Sequence, residues 1–216
     1  MFSIIFDMDG VLCDSQPAHF EADRRTLTKC GVEFSPGDVE RYAGMPSRDR
    51  WTKYKNDYGI DIPVDDIIEM HKQSVTEVVN RSRLKSSAGS EKFLMLLREN
   101  GISYILASSS SRKFIDDLLK QIGLADYFEN IISGDTVKRG KPNPDIFLKA
   151  ADILGKSSEN CIVIEDSHNG VLAAKAAGMK CVGYQNPTSG KQDLSRADII
   201  VTTFEELCDL GVLKNL

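Results

Sequence analysis

The chain has 216 residues, of which 41% are hydrophobic and 27% charged, a mix that excludes a disordered or fibrous protein and supports a packed core. Its formal net charge of -5 excludes the broad basic surface of a nucleic-acid binder. An acidic protein that handles phosphates must instead focus positive charge locally, through a few lysines, helix ends or a metal.

The first element is the apolar run Ser3–Phe6, which ends at Asp7 and reads as a buried parallel strand. Asp7 and Asp9 cut this run too short for a signal segment, and nothing in the sequence approaches a membrane span. Residues 14–83 carry helical patterns over 17–30, 49–57 and 65–79 and no convincing strand. They read as a small helical domain inserted after the first strand, leaving 1–13 and 84–216 as an α/β core domain. Further strands are expected over 102–107, 130–133, 161–164, 180–184 and 198–201, alternating with helices over 91–99, 114–122, 145–154 and 171–177. Gly101, Gly123, Gly155 and Gly178 follow those helices, where a left-handed glycine ends a helix. The alternation predicts a doubly wound parallel sheet.

Five cysteines (Cys13, Cys30, Cys161, Cys181 and Cys208) are odd in number and widely spaced, with no C-x-x-C. Reduced thiols of a cytoplasmic protein are expected, rather than a disulfide framework or a zinc site.

Four segments carry chemistry, and each falls at the carboxyl end of an expected strand. Asp7 and Asp9 form a D-x-D that either makes a turn or supplies a nucleophile and a general acid/base; two crowded acids also call for a cation. The turn Ser108 to Ser111 either caps a helix or offers hydroxyls and free N–H groups to an anion. Lys141, held in Gly-Lys-Pro-Asn-Pro, is a basic surface turn or a fixed charge for an oxyanion. Glu165 and Asp166 end a further strand. Capping by Asp166 or Ser167 is one reading; oxygen ligands for a hard cation are the other, favouring magnesium over zinc. His168 reads as structural or surface.

These motifs, DMDGVLCDS from Asp7, LASSS from Leu106, GKPNPDIF from Gly140 and IEDSHNGVLAAKAAGM from Ile164, resemble the haloacid dehalogenase superfamily, in its subgroup with a helical cap inserted after the first motif. The resemblance spans essentially the whole chain. It implies that Asp7 is the phosphate-accepting nucleophile and that Asp9 is the general acid/base, whose carbonyl also faces a metal. It implies Ser108, with Ser109 beside it, and Lys141 as the phosphate clamp, with Lys141 also steadying the nucleophile. For Mg2+ it implies Asp7, Asp9 and Asp166 as ligands, with Glu165 as an additional or water-mediated one. Within the superfamily the chain is similar to the β-phosphoglucomutase-like phosphatases and phosphomutases. On the cap this similarity points to His19, Arg48 and Lys72, although the segment before Arg48 is one residue longer than the mutase pattern. Ordinary surface charge is the other reading of these three.

The expected activity is a magnesium-dependent phosphatase for small phosphorylated metabolites such as sugar phosphates, active as a monomer and without nucleic-acid or membrane partners. The alternative is a β-phosphoglucomutase, which passes the phosphate to a sugar rather than to water. A phospho-acceptor switch domain fits poorly, since it would lack the helical insertion and carry its acceptor on a later strand. A nucleotide-binding module lacks its G-x-x-x-x-G-K-[ST] or G-x-G-x-x-G signature here.

Overall fold

The computed structural model describes every residue except Met1, Pro36, Glu40, Arg41, Ala43, Gly44 and Pro46. The chain divides into two compact units, Met1–Asp14 with Leu84–Leu216, and Ser15–Arg83. The strands are β1 (Ser3–Phe6), β2 (Tyr104–Ser108), β3 (Ile131–Ser133), β4 (Cys161–Glu165), β5 (Lys180–Tyr184) and β6 (Ile199–Val201). The α-helices are α1 (Gln16–Lys29), α2 (Ser47–Tyr58), α3 (Val64–Arg81), α4 (Ser90–Glu99), α5 (Arg112–Gln121), α6 (Asp145–Leu154), α7 (His168–Ala176) and α8 (Leu210–Lys214).

The larger unit is built on a parallel sheet in the order β3-β2-β1-β4-β5-β6. β1 lies at its centre, and all four of its residues are fully buried. Its side chains alternate between two covered faces. Ile5 joins Ile105, Val163, Phe147 of α6 and Val171 of α7 in one apolar cluster. Phe6 points the other way, with ring centroids 6.0 Å from Phe93 of α4 and 5.9 Å from Phe128, both edge-on. Helices on both faces explain why this strand reads as a continuous apolar run instead of an alternating one. Burying one such side chain is worth about 1.5–3 kcal/mol.

The expected boundaries move where local hydrogen bonds compete. Ile102 gives its N–H back to Leu97 at the end of α4, so β2 starts only at Tyr104. α5 and α7 start earlier than the apolar periodicity suggested, because Ser111 and Ser167 cap them. The four expected helix-ending glycines all have positive φ.

The smaller unit packs α1, α2 and α3 around Leu27, Trp51, Tyr54, Ile60 and Ile67. Its interior also holds charge. Asp23 is fully buried, with Oδ1 2.8 Å from His71 Nε2 and Oδ2 3.3 Å from Arg50 Nη1.

Candidate active site

The register of the sheet sets the chemistry. Phe6 pairs with Leu106 on one side and Ile164 on the other, so Asp7 follows β1 level with the ends of β2 and β4. The Asp7 N–H donates to the Ile164 carbonyl at 3.0 Å, which fixes its backbone. The strand order reverses direction between β1 and β4. Open α/β sheets hold their ligands at such a switch point, outside the carboxyl ends of the strands.

Lys141 enters from the segment preceding α6. Its Nζ lies 2.5 Å from Asp7 Oδ1 and 2.5 Å from Glu165 Oε1, with its side chain 7% exposed. The ammonium also stands 4.9 Å from the centroid of the Phe147 ring. Burial works against its charge, but Asp7 and Glu165 outweigh burial and hold it protonated, above the ordinary lysine range. For Asp7 the balance falls the other way. Burial pushes its carboxyl up to about 7 despite Lys141, and Glu165 and Asp9 add to the rise.

Glu165 has both oxygens engaged. Oε1 accepts from Lys141, and Oε2 accepts from the Ser167 N–H at 2.8 Å and the Ser167 hydroxyl at 2.9 Å. Ser167, not Asp166, caps α7, accepting the Gly170 N–H at 3.1 Å. Asp166 is thereby free of capping duty. It is 7% exposed, and its Oδ2 accepts a hydrogen bond from the Ser189 hydroxyl at 2.5 Å. Burial, then Glu165 and Asp7, hold the Asp166 carboxyl well above the usual carboxylate range.

The serine turn divides its work. Ser108 is buried, and its Oγ accepts the Ser110 N–H at 3.1 Å. Ser109 is exposed. The Ser110 hydroxyl donates to Asp9 Oδ2 at 3.0 Å, and Ser111 caps α5. The capping reading of the turn thus falls to Ser111.

Among the described residues, no three acidic, histidine or cysteine side chains form a ready-made metal cluster. Lys141 stands between Asp7 and Glu165, and Ser189 holds Asp166. The donor set nevertheless suits a hard dication: it is all oxygen, and burial and neighbouring acids disfavour the charge on two of its carboxyls, Asp7 and Asp166. Gly10 makes room for the Asp166 carboxylate. At φ +79°, a β-carbon there would fall 1.9 Å from Asp166 Oδ2.

The family profile of the haloacid dehalogenase-like hydrolases matches residues 4–184. The chain belongs to the haloacid dehalogenase-like hydrolase family. It is 32% identical over 226 residues to a phosphorylated carbohydrates phosphatase of Thermotoga maritima, covering 100% of both chains. It is 30% identical to a β-phosphoglucomutase of Bacillus subtilis, covering 96% of this chain and 92% of that one. Among solved structures it is similar to CbbY from Rhodobacter sphaeroides in complex with phosphate, with a TM-score of 0.82 and 25% identity over 96% of each chain.

In this hydrolase the edge of the sheet brings together Asp7, Lys141 and Glu165. Asp9, Ser108 and Asp166 end or follow β1, β2 and β4 at that same edge. The residues named on the helical unit do not converge in that way. His19 is half-buried on α1. Arg48 is exposed on α2 and pairs with Asp65, and Lys72 is exposed on α3, 3.8 Å from Glu69. Gly44 and Pro46, in the segment leading to Arg48, lie outside the described residues. His168 opens α7 with its Nδ1 3.0 Å from the Asp193 carbonyl.

Sequence reasoning missed Ser110, Ser189 and Asn186. The one signal for the last two is position, because the loop that carries them leaves the carboxyl end of β5 at the same edge. Within Ser108 to Ser111, four identical residues offered no way to see which hydroxyl reaches Asp9.

Proposed function

We propose that this hydrolase is a magnesium-dependent phosphatase of small phosphorylated metabolites, sugar phosphates foremost, working through an aspartyl phosphate on Asp7. The observation that carries the reading is the buried Lys141 bridge from Asp7 to Glu165 at the switch point of the sheet. A lysine fixed on a strand-end carboxylate both steadies that carboxylate and supplies a positive charge where a phosphoryl group would sit. The Thermotoga maritima relative named for phosphorylated carbohydrates supports the substrate class.

In this reading the Ser108 hydroxyl and Lys141 bind the transferring phosphoryl group, with Ser109 at the rim. A carboxylate oxygen of Asp7 attacks phosphorus in line, and the bond to the leaving oxygen breaks as the new bond forms. Asp9, oriented by Ser110, gives its proton to the leaving oxygen. Asp9 then takes a proton from a water that attacks the same phosphorus. The bond to Asp7 breaks, inorganic phosphate leaves, and both acids return to their starting states. Asp7, Asp166 and the Asp9 carbonyl would hold magnesium, which when bound neutralises charge on the phosphoryl oxygens. Glu165, with both oxygens engaged, anchors Lys141 and would serve the metal only through water. The helical unit is the cap in this reading, and His19, Arg48 and Lys72 are its candidates for contact with the leaving group.

A cytoplasmic monomer suits the reading. The five cysteines are unpaired, and no described helix is long and apolar enough to cross a membrane. The second reading, β-phosphoglucomutase, is favoured by the Bacillus subtilis relative of that name. The test is a phosphate-release screen over sugar phosphates, nucleotides and small phosphorylated acids, with and without Mg2+. It includes β-glucose 1-phosphate with a trace of the bisphosphate. Magnesium-dependent phosphate release supports the phosphatase. Rapid glucose 6-phosphate formation with little free phosphate would replace it with the mutase.

A further inference from the structure

The loop that follows β5 grips the acid edge at three places. The Asn186 side-chain amide donates to the Gly10 carbonyl at 3.0 Å. The Thr188 hydroxyl is bonded to Asp14. The Ser189 hydroxyl donates to Asp166 Oδ2 at 2.5 Å. Asn186 and Ser189 are both buried, 9% and 3% exposed, so these bonds are shielded from competing water.

The loop is itself fixed. Asn186 Oδ1 accepts the Thr188 N–H at 2.9 Å and closes a tight turn. Gln192 reaches back from its amide nitrogen to the Ser189 carbonyl at 3.0 Å, and its amide oxygen accepts the His168 N–H at 3.1 Å. Ser189 is therefore tied both to the loop and to the first turn of α7, the helix that follows Asp166. Gly10 closes the other side: a β-carbon there would stand 1.9 Å from Asp166 Oδ2 and 3.0 Å from Ser189 Oγ. The Asp166 carboxylate is thus pressed between a bare backbone and a hydroxyl, with Oδ2 committed to that hydroxyl.

We infer that Ser189 is a positioning residue for the metal: by holding Asp166 Oδ2 it fixes the orientation in which that carboxylate is presented to Mg2+, and Gln192 and Asn186 hold Ser189 in place. The inference rests on the metal assignment proposed above. Partners that orient ligating carboxylates typically matter about 10–100-fold in metal affinity or activity. Losing the hydroxyl leaves the carboxylate in place but free to rotate. The first effect is on metal binding, and kcat at saturating magnesium falls less than affinity does.

The test is Mg2+ titration of the purified protein, read as the dissociation constant by calorimetry and as the magnesium-dependent rise in melting temperature. Wild type, Ser189→Ala, Gln192→Ala and Asp166→Asn are compared. Ser189→Ala is expected to weaken Mg2+ binding by about 10-fold or more. Gln192→Ala, which keeps the hydroxyl but frees its loop, is expected to weaken it by less. A Ser189→Ala dissociation constant within about twofold of wild type would overturn the inference. If Ser189→Ala does not fold, wild-type affinity in Gln192→Ala overturns it instead. Failure of the metal assignment has a different signature: wild type then binds no Mg2+, or Asp166→Asn binds it as wild type does.

Discussion

A β-carbon on Gly170 would stand 1.8 Å from the Glu165 carboxyl carbon. α7 is bare where that carboxylate lies, and the same carboxylate holds Lys141. Gly170→Ala is therefore expected to push Glu165 aside, release one anchor of Lys141 and lower kcat by about 10–100-fold. Alanine inside a helix would otherwise stabilise by roughly 0.5–1 kcal/mol, whereas overpacking costs about 1–3 kcal/mol. Steady-state kinetics and a melting curve check this together. A variant that melts higher than wild type with full activity would contradict the close approach.

Asp7→Asn is expected to abolish turnover while leaving the fold intact, as circular dichroism and phosphate release would report. Retained activity would falsify the nucleophile assignment. The same variant carries a pH signature. The native state keeps a proton on Asp7 up to about 7, whereas the ordinary value is 3.8. The stability from this group is therefore present below the ordinary value and is lost as pH rises towards 7. Asparagine does not titrate. In chelator, the melting temperature of Asp7→Asn relative to wild type is expected to climb between about pH 4 and about pH 7 and to level off above that. A flat difference would contradict the elevated value.

The helical unit titrates in the opposite sense. Burial holds His71 below its ordinary value of 6.5, against the pull of Asp23. The unfolded chain takes up that proton more readily, so the stability is present above 6.5 and is lost as pH falls below it. Trp51, the chain's single tryptophan, is fully buried with its ring 5.1 Å from the His71 ring. Thermal unfolding followed by tryptophan fluorescence should shift to lower temperature on acidification, and His71→Gln should flatten that dependence. Asp23→Asn, which strips Arg50 of its buried partner, is expected to cost about 3–5 kcal/mol.

Thiol chemistry offers a fourth check. Cys13, Cys161 and Cys181 are buried, and Cys30 and Cys208 are partly exposed. Burial, with Asp9 and Asp14 adding to it, pushes the Cys13 thiol up to about 12, and burial raises Cys181 further. A disulfide reagent at neutral pH is expected to label Cys30 and Cys208 in the native protein and the other three only on denaturation. Peptide mapping that finds Cys13 or Cys181 among the fast sites would contradict the buried placement.

The parts legible in the sequence are those set by short-range pattern. β1, β5 and α6 fall where they were expected, because an apolar run between polar breaks, or a helical period closed by glycine, fixes both ends locally. Asp7 and Lys141 stand out because each sits in a stiff motif at a strand end or before a helix. Their interaction was implied by the family resemblance, in which Lys141 steadies Asp7, and not by the residues alone. What was not foreseen is the second carboxylate, Glu165, on the same ammonium. Ser189 was hidden because its contact depends on the path of a loop. Asp23, Arg50 and His71 lie on separate helices among other charges, and only the packing of three helices turns surface-like residues into a buried group.

The placement of β1 has a consequence for synthesis. Ile4 lies beside Tyr104 on one side and Ile162 on the other. The strand that leads to Asp7 is made early, yet both of its neighbours follow the whole helical unit in the chain. That unit has its own apolar interior, so it can condense first while β1 waits unpaired. Glu165 ends β4, so a nascent or truncated chain that stops short of it can hold Asp7 and Lys141 but lacks the second carboxylate that grips the ammonium.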